Sequence, residues 1–230
     1  MRKLVTVLSL VLFIVPPARA DLATTNSLLS NGNFATGDLT GWTLFTNNNG
    51  SLGTLPGLPG VMSFDTNGNG VSNGAAVFQV GEAAWLGAHQ RAGGGLRQSF
   101  LSPSGQLSIH LDIAVQSGLY ANDVAGIFSV FVDNILVDTF NFENVTPDIP
   151  PYTTQHSQLS GSTFVNEGLH DLIILIERPV LTSNATPLQY VDNIVVAIPE
   201  PNTGSLILIG LALVAGGYFV SLVDGMGIGR

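Results

Sequence analysis

Gln106-Leu-Ser-Ile-His-Leu-Asp-Ile-Ala-Val115 decides the fold class. Apolar and polar residues alternate along it. Leu107, Ile109, Leu111, Ile113 and Val115 fall on one side of an extended chain, and Ser108, His110 and Asp112 on the other. Side chains on a strand alternate between faces, so the stretch predicts a strand with one face in a core and one turned outward.

The neighbouring stretches repeat the pattern. Leu96–Leu101 alternates and is followed by a Ser102-Pro-Ser-Gly105 turn. Ile127–Val132 and Ile135–Phe140 flank Asp133-Asn134, the composition of a hairpin turn. Ala75–Val80, Ser162–Val165, Leu169–Glu177 and Leu188–Ala197 read as further strands. The segments Thr46–Pro59, Gly81–Gly95 and Asn141–Ser160 read as irregular, being rich in Gly, Asn or Pro. Roughly nine short strands without crossover helices predict an all-β, antiparallel two-sheet sandwich.

Both chain ends carry membrane signals. Met1-Arg2-Lys3, an apolar run from Leu4 to Val15 and Ala18-Arg19-Ala20 form a secretory signal peptide over residues 1–20, with its signal helix. Pro199, Glu200 and Pro201 open the tail, residues 199–230. Residues 204–223 hold no charge, and their 20 residues span roughly 30 Å as a helix. This predicts a C-terminal transmembrane helix bounded by the two prolines. Residues 21–198 remain as one domain.

That domain carries fourteen acidic residues against Arg91, Arg97 and Arg178, for a net charge of −11. It offers no basic surface for nucleic acid. The whole chain lacks cysteine, so no disulfide supports the fold.

The order Pro199-Glu200-Pro201, polar spacer, apolar span and chain end resembles the PEP-CTERM sorting signal of Gram-negative exported proteins. The family's tail usually closes on several arginines, where this chain has Arg230 alone. The resemblance implies an exosortase-type processing enzyme as partner. It also implies anchoring in the inner membrane before processing, delivery to the envelope or exterior, and association with exopolysaccharide or biofilm. Asn31-Gly32-Asn33-Phe34, Gly41-Trp42 and Tyr190-Val-Asp-Asn-Ile-Val-Val196 resemble the first and last strands of galactose-binding-like jelly rolls. Those include carbohydrate-binding modules. Ala35 stands where such domains carry Glu. This second resemblance implies a jelly-roll topology, glycan binding, and a calcium ion between the last strand and the N-terminal segment, with Asp192 and Asn33 as candidate ligands.

Other candidates come from residue type. Phe34 and Trp42 suit a core. Trp85, Tyr120 and Tyr152 fall in expected loops, where an aromatic ring can stack on a sugar. Asp65-Thr-Asn67-Gly-Asn69-Gly70 copies the front half of a calcium loop, but Ala76 stands at the twelfth position, where a bidentate Glu belongs. Gly70-Val-Ser72-Asn-Gly74 fits the nucleophile-elbow pattern without a strand before it and a helix after it. Gly93-Gly-Gly95 lacks the Lys and Ser/Thr of a phosphate loop. His89, His110, His156 and His170 show no metal spacing. The reading is an exported, non-catalytic surface or matrix protein. The alternatives are a dedicated glycan-binding module and a glycan-acting hydrolase.

Overall fold

The computed structural model describes residues 27–117, 122–145, 152–183 and 186–199. The signal peptide, Tyr120, Glu200, Pro201 and the apolar run 204–223 lie outside them. Among the described residues no helix is long and apolar enough to cross a membrane. Twelve strands form there: β1 (Thr43–Thr46), β2 (Gly50–Ser51), β3 (Gly60–Phe64), β4 (Asn73–Phe78), β5 (Gly81–Glu82), β6 (Ala92–Ser102), β7 (Gly105–Gln116), β8 (Asn122–Val132), β9 (Ile135–Val145), β10 (Thr154–Val165), β11 (Gly168–Arg178) and β12 (Leu188–Ala197).

The pairing starts from the β8–β9 hairpin. Asp133 and Asn134 take φ of 51° and 65°. Two left-handed residues match the twist of the strands they join, and Asp and Asn tolerate that region better than other side-chain-bearing residues. Around this hairpin the chain pairs in nested antiparallel layers: β7 with β10, β6 with β11, and β4 with β12. The layers divide between two five-stranded sheets, ordered β1-β6-β11-β8-β9 and β10-β7-β12-β4-β3. Eight strands paired this way across two sheets make a jelly roll.

The inward faces carry the expected alternation. Leu107, Ile109, Leu111, Ile113 and Val115 of β7 are buried with Phe128, Val130 and Val132 of β8, Leu172, Ile174 and Ile176 of β11, and Val191, Ile194 and Val196 of β12. Phe34 and Trp42 lie in the same core, ring centroids 6.0 Å apart. Trp42 donates its indole N–H to Asn31 O at 3.0 Å, which satisfies its polar atom. The segment around Asn31–Phe34 is not a strand. It runs beside β12 through bonds from Leu28 N to Val196 O and from Ile194 N to Gly32 O. A Cβ at Gly32 would overlap Ile194 O, so glycine permits that approach.

Two segments read as irregular are strands in part, while 83–91 is the expected loop. Gly93–Gly95 belong to β6, where added Cβ atoms would overlap backbone oxygens of Phe45, Ile174 and Ile176. Glycine serves close strand packing there, not a loop. β9 runs on to Val145, and β10 begins at Thr154. β10 is an edge strand showing His156, Gln158, Ser160 and Ser162 on one face, so its composition imitates a linker. β3 also lies outside the expected strands.

The nesting gives the sandwich two unlike ends. At one, β6–β7, β8–β9 and β10–β11 are joined by the pairs 103–104, 133–134 and 166–167. At the other lie the longer segments 47–59 and 79–91, which include β2 and β5, together with residues 117, 152–153 and 179–183.

His170 fastens the tight-turn end. Its Nδ1 lies 2.6 Å from Asp133 Oδ2 and its Nε2 2.9 Å from Asn166 O. Both partners are acceptors, so the ring donates twice as an imidazolium. Asp133 Oδ1 accepts the Asp171 N–H at 2.9 Å. The bond to Asp133 raises the His170 pKa above its ordinary value, against burial and with help from Asn166 and the Asp133 charge. A raised folded-state pKa adds stability that is complete below about pH 6.5 and is lost as pH rises through the folded value. His170→Gln is therefore expected to lower the melting temperature most near pH 5.5. The difference should shrink at alkaline pH, and a gap constant from pH 5 to 9 would refute the charged clamp.

Candidate functional site

The loop end is braced by side chains. Past β4 the chain leaves the ladder, and its backbone groups need other partners. Gln189, buried on β12, accepts the Val80 N–H at 2.8 Å and donates to Ala125 O at 2.8 Å. Gln79 donates to Thr186 O at 3.2 Å, and its Oε1 faces Thr54. Arg178, also buried, donates to Val80 O at 3.2 Å and Val124 O at 3.1 Å. Burial pulls its pKa down to about 10, which leaves it charged at neutral pH.

On this base stands the 83–91 loop. Glu82 is fully buried, and its Oε1 accepts the Gln90 N–H at 2.7 Å. His89 Nδ1 approaches the same oxygen at 3.3 Å. Trp85 meets the His89 ring edge-on, centroids 4.3 Å apart, yet stays 52% exposed. A buried carboxylate thus holds a histidine, and the histidine holds an indole out at the surface. Leu86, Val180 and Leu181 are also exposed, with Leu181 bridged to Glu82. Tyr152 is exposed just before β10. Trp85 and Tyr152 therefore share one end of the sandwich by topology, while Tyr120 lies outside the described residues.

A second polar centre lies on the outward face of the β10-β7-β12-β4-β3 sheet. Asp112 and Asp192 are directly opposed partners on β7 and β12. The β3–β4 connection folds back over them. Phe64 stacks on Tyr190 at 3.6 Å, His156 Nδ1 donates to Thr66 O at 3.0 Å, and Asn67 Nδ2 reaches Asp112 Oδ2 at 3.4 Å. Asn193 sits in a bulge with φ of 50° and donates to Asp112 Oδ2 at 2.8 Å. Gln158 donates to Asp112 Oδ1 at 3.1 Å, and His110 Nε2 lies 3.3 Å from it. Burial pushes the Asp112 carboxyl up, but hydrogen bonds from His110, Asn193 and Asn67, with the His110 charge, hold it below its ordinary value.

Asp192 has no such company. It is fully buried and neither oxygen has a hydrogen-bond partner of normal geometry. Burial pushes its carboxyl up to about 7, with the Asp112 charge adding to the rise and nearby Asn193 N–H and Asn73 amide opposing it. The Thr66 hydroxyl is likewise buried and unpartnered. Like charges set opposite on adjacent strands repel, and a buried unpaired carboxylate is costly. These oxygens fit a hard cation, which takes carboxylate and neutral oxygen ligands. Among the described residues no group of three or more His, Asp or Glu could hold a metal, so neutral oxygens would complete the shell. Asn33 is exposed, and its Oδ1 accepts the Ala35 N–H at 3.3 Å. Asp112 is the carboxylate beside Asp192.

The remaining candidates resolve locally. Asp65 Oδ1 accepts from Gly68 N and Asn69 N, and Oδ2 from Gly70 N, so the carboxylate caps its own turn. Ser72 leads straight into β4 with no helix after it, so it forms no nucleophile elbow. Glu82 and Asp112 escape a reading of the sequence. Asp112 shows there only as an outward residue of β7, since its burial comes from a loop some 45 residues away.

No family model and no curated protein matches the chain. Solved structures resemble it loosely. A structure of TmCBM61 in complex with beta-1,4-galactotriose is 13% identical with a TM-score of 0.45, over 76% of this chain and 100% of that one. The CBM22-1 xylan-binding domain from Paenibacillus barcinonensis Xyn10C is 14% identical with a TM-score of 0.39, over 75% and 94%. The arabinose-bound MgGH51 a-L-arabinofuranosidase is 11% identical with a TM-score of 0.44, over 77% of this chain but 27% of that one. Values this low identify no family and no ligand. The jelly roll stands on its strand order.

The Asp192 pKa sets a sign. Its folded value near 7 lies above the unfolded value of about 3.9. In a chelating buffer the native state keeps a proton that the unfolded chain releases, so stability falls as pH rises between these values. Asp192→Asn is expected to remove that slope and to melt higher than wild type at pH 8. Added calcium should raise the wild-type melting temperature and leave the variant unmoved. Equal calcium shifts in both proteins would take Asp192 out of any cation site.

Proposed function

We propose that this chain is an exported, non-catalytic β-sandwich that binds an extracellular polysaccharide through its loop end. The observation that carries the reading is Trp85, half-exposed and fixed against His89 above the buried Glu82. A large ring held rigidly at the surface gives a stacking platform at little conformational cost, since its rotamer is already set. Tyr152 on the same end offers a second ring. In this reading the signal peptide exports the domain, and the tail from Pro199 holds it at the inner membrane. An exosortase-type enzyme then cuts near Pro199-Glu200-Pro201 and releases it to the envelope or exterior, in company with exopolysaccharide. A calcium ion at Asp192 would stabilise the sheet without touching the glycan.

Affinity electrophoresis against a panel of soluble plant and bacterial polysaccharides tests the binding. At least one polymer should retard the wild-type protein, and Trp85→Ala should abolish the retardation. Stability should fall by much less than the roughly 3–5 kcal/mol that a buried tryptophan costs. Retained binding, or a core-sized loss of stability, would remove Trp85 from the role. Sorting is read separately by intact-mass spectrometry, where a released form ending near Pro201 is expected. A form found only in membranes and still ending at Arg230 would leave plain anchoring.

A further inference from the structure

The tight-turn end is unusual for a soluble surface. Leu101 and Leu169 are direct partners on β6 and β11, and Phe164 stands near the end of β10. Ile135 and Leu136 follow the β8–β9 turn. These five side chains are 52–72% exposed. Asp138 Oδ2 accepts the Ser160 N–H, and Val137 lies against Gly161, which brings the start of β9 alongside the end of β10. Ile135 and Leu136 therefore border Phe164. Leu101 and Leu169 leave the outer face of one sheet and Phe164 that of the other, so the five groups flank the tight-turn end from both sides. Large apolar groups exposed around one end mark a contact surface.

The same end is where the described chain leaves the fold. β12 finishes at Ala197, opposite Ser108 of β7, and Ile198 packs beside Gly105 and against the core. Pro199 follows, exposed. The uncharged run begins at Gly204, five residues on. Five extended residues reach at most about 17 Å. A bilayer holding that run would thus hold the tight-turn end, and not the Trp85 end, against its surface.

We propose that the tight-turn end is a lipid-facing surface, with Leu101, Leu169, Phe164, Ile135 and Leu136 resting in the interface of the bilayer that takes the tail. The inference rests on the reading of residues 204–223 as a spanning helix. Charge does not drive the contact. Asp133 is paired with His170 and Arg97 with Asp171, while Glu167 is exposed and the domain is acidic. Contact therefore comes from apolar burial and is insensitive to salt. In this orientation the tight turns face the membrane, and Trp85 faces away from it.

The chain has no cysteine, so single labelling sites are clean. Phe164→Cys, Leu169→Cys, Ala84→Cys at the loop end and Ala212→Cys in the tail are each made in the mature full chain. Each carries an environment-sensitive dye and is reconstituted in phosphatidylethanolamine–phosphatidylglycerol vesicles with nitroxide-bearing lipids. The dye at 212 reports insertion of the tail. Dyes at 164 and 169 should be quenched severalfold more than the dye at 84, equally at low and high salt, and Leu101→Glu should weaken that quenching. Quenching at 212 with 164 and 169 no different from 84 overturns the lipid-facing surface and leaves the anchor standing. No quenching at 212 overturns the anchor and this inference with it. A concentration-dependent blue shift at 164 and 169 without lipid assigns the surface to a second copy of the chain and overturns the proposal.

Discussion

The strand period of two is the constraint on which the rest depends. β7 lies between β10 and β12 along nearly its whole length. Its inward side chains close the core, so a slip of one residue would turn five apolar groups outward. That register places Asp112 on the outer face and opposite Asp192. The sheet cannot shift to separate the two acids without opening the core. Their repulsion has to be met locally, by the donors around Asp112 and by whatever proton or cation Asp192 holds. The costly feature of the outer face is a consequence of the stable feature of the inner one.

Sequence legibility follows burial. β7 and β11 could be read closely because apolar side chains occupy one face at every second position, and β12 because its apolar residues keep one face on either side of its bulge. β10 could not, since its outward face is polar and its edge position asks little of its composition. The glycine run at Gly93–Gly95 misleads for another reason: turns and close strand packing select the same residue. Phe34 and Trp42 are legible as core because rings of that size are rarely left in water near a strand. At the site, Trp85 is visible by type alone. Glu82 is not, because its role comes from Gln90 and His89 folding back over it. Asp192 stands out only through the jelly-roll resemblance, and Asp112 looks like an ordinary acid until the β3–β4 connection is laid across it. Burial that depends on a returning loop leaves no periodic trace in the sequence.

The two ends divide the labour of the fold. Nested pairing lets three connections shrink to two residues each, and these need only turn chemistry and the His170 clamp. The opposite connections must span between layers, so they are longer and can carry function. Length alone would leave that end loose. Gln189, Gln79 and Arg178 prevent this by bonding to backbone atoms of Val80, Ala125, Thr186 and Val124.

This bracing acts on main-chain groups and, the Thr54 hydroxyl apart, makes no demand on loop side chains. The identity of a residue such as Leu86 is therefore uncoupled from that bracing, whereas Trp85 is seated on His89. The cost falls on the buried polar side chains instead. A guanidinium as enclosed as that of Arg178 forfeits its hydration, and carbonyl acceptors have to replace it. Replacing Arg178 would leave Val80 O, just ahead of β5 and the Trp85 loop, and Val124 O of β8 without those donors. The loop end can change its surface residues freely only while those few buried polar residues stay fixed.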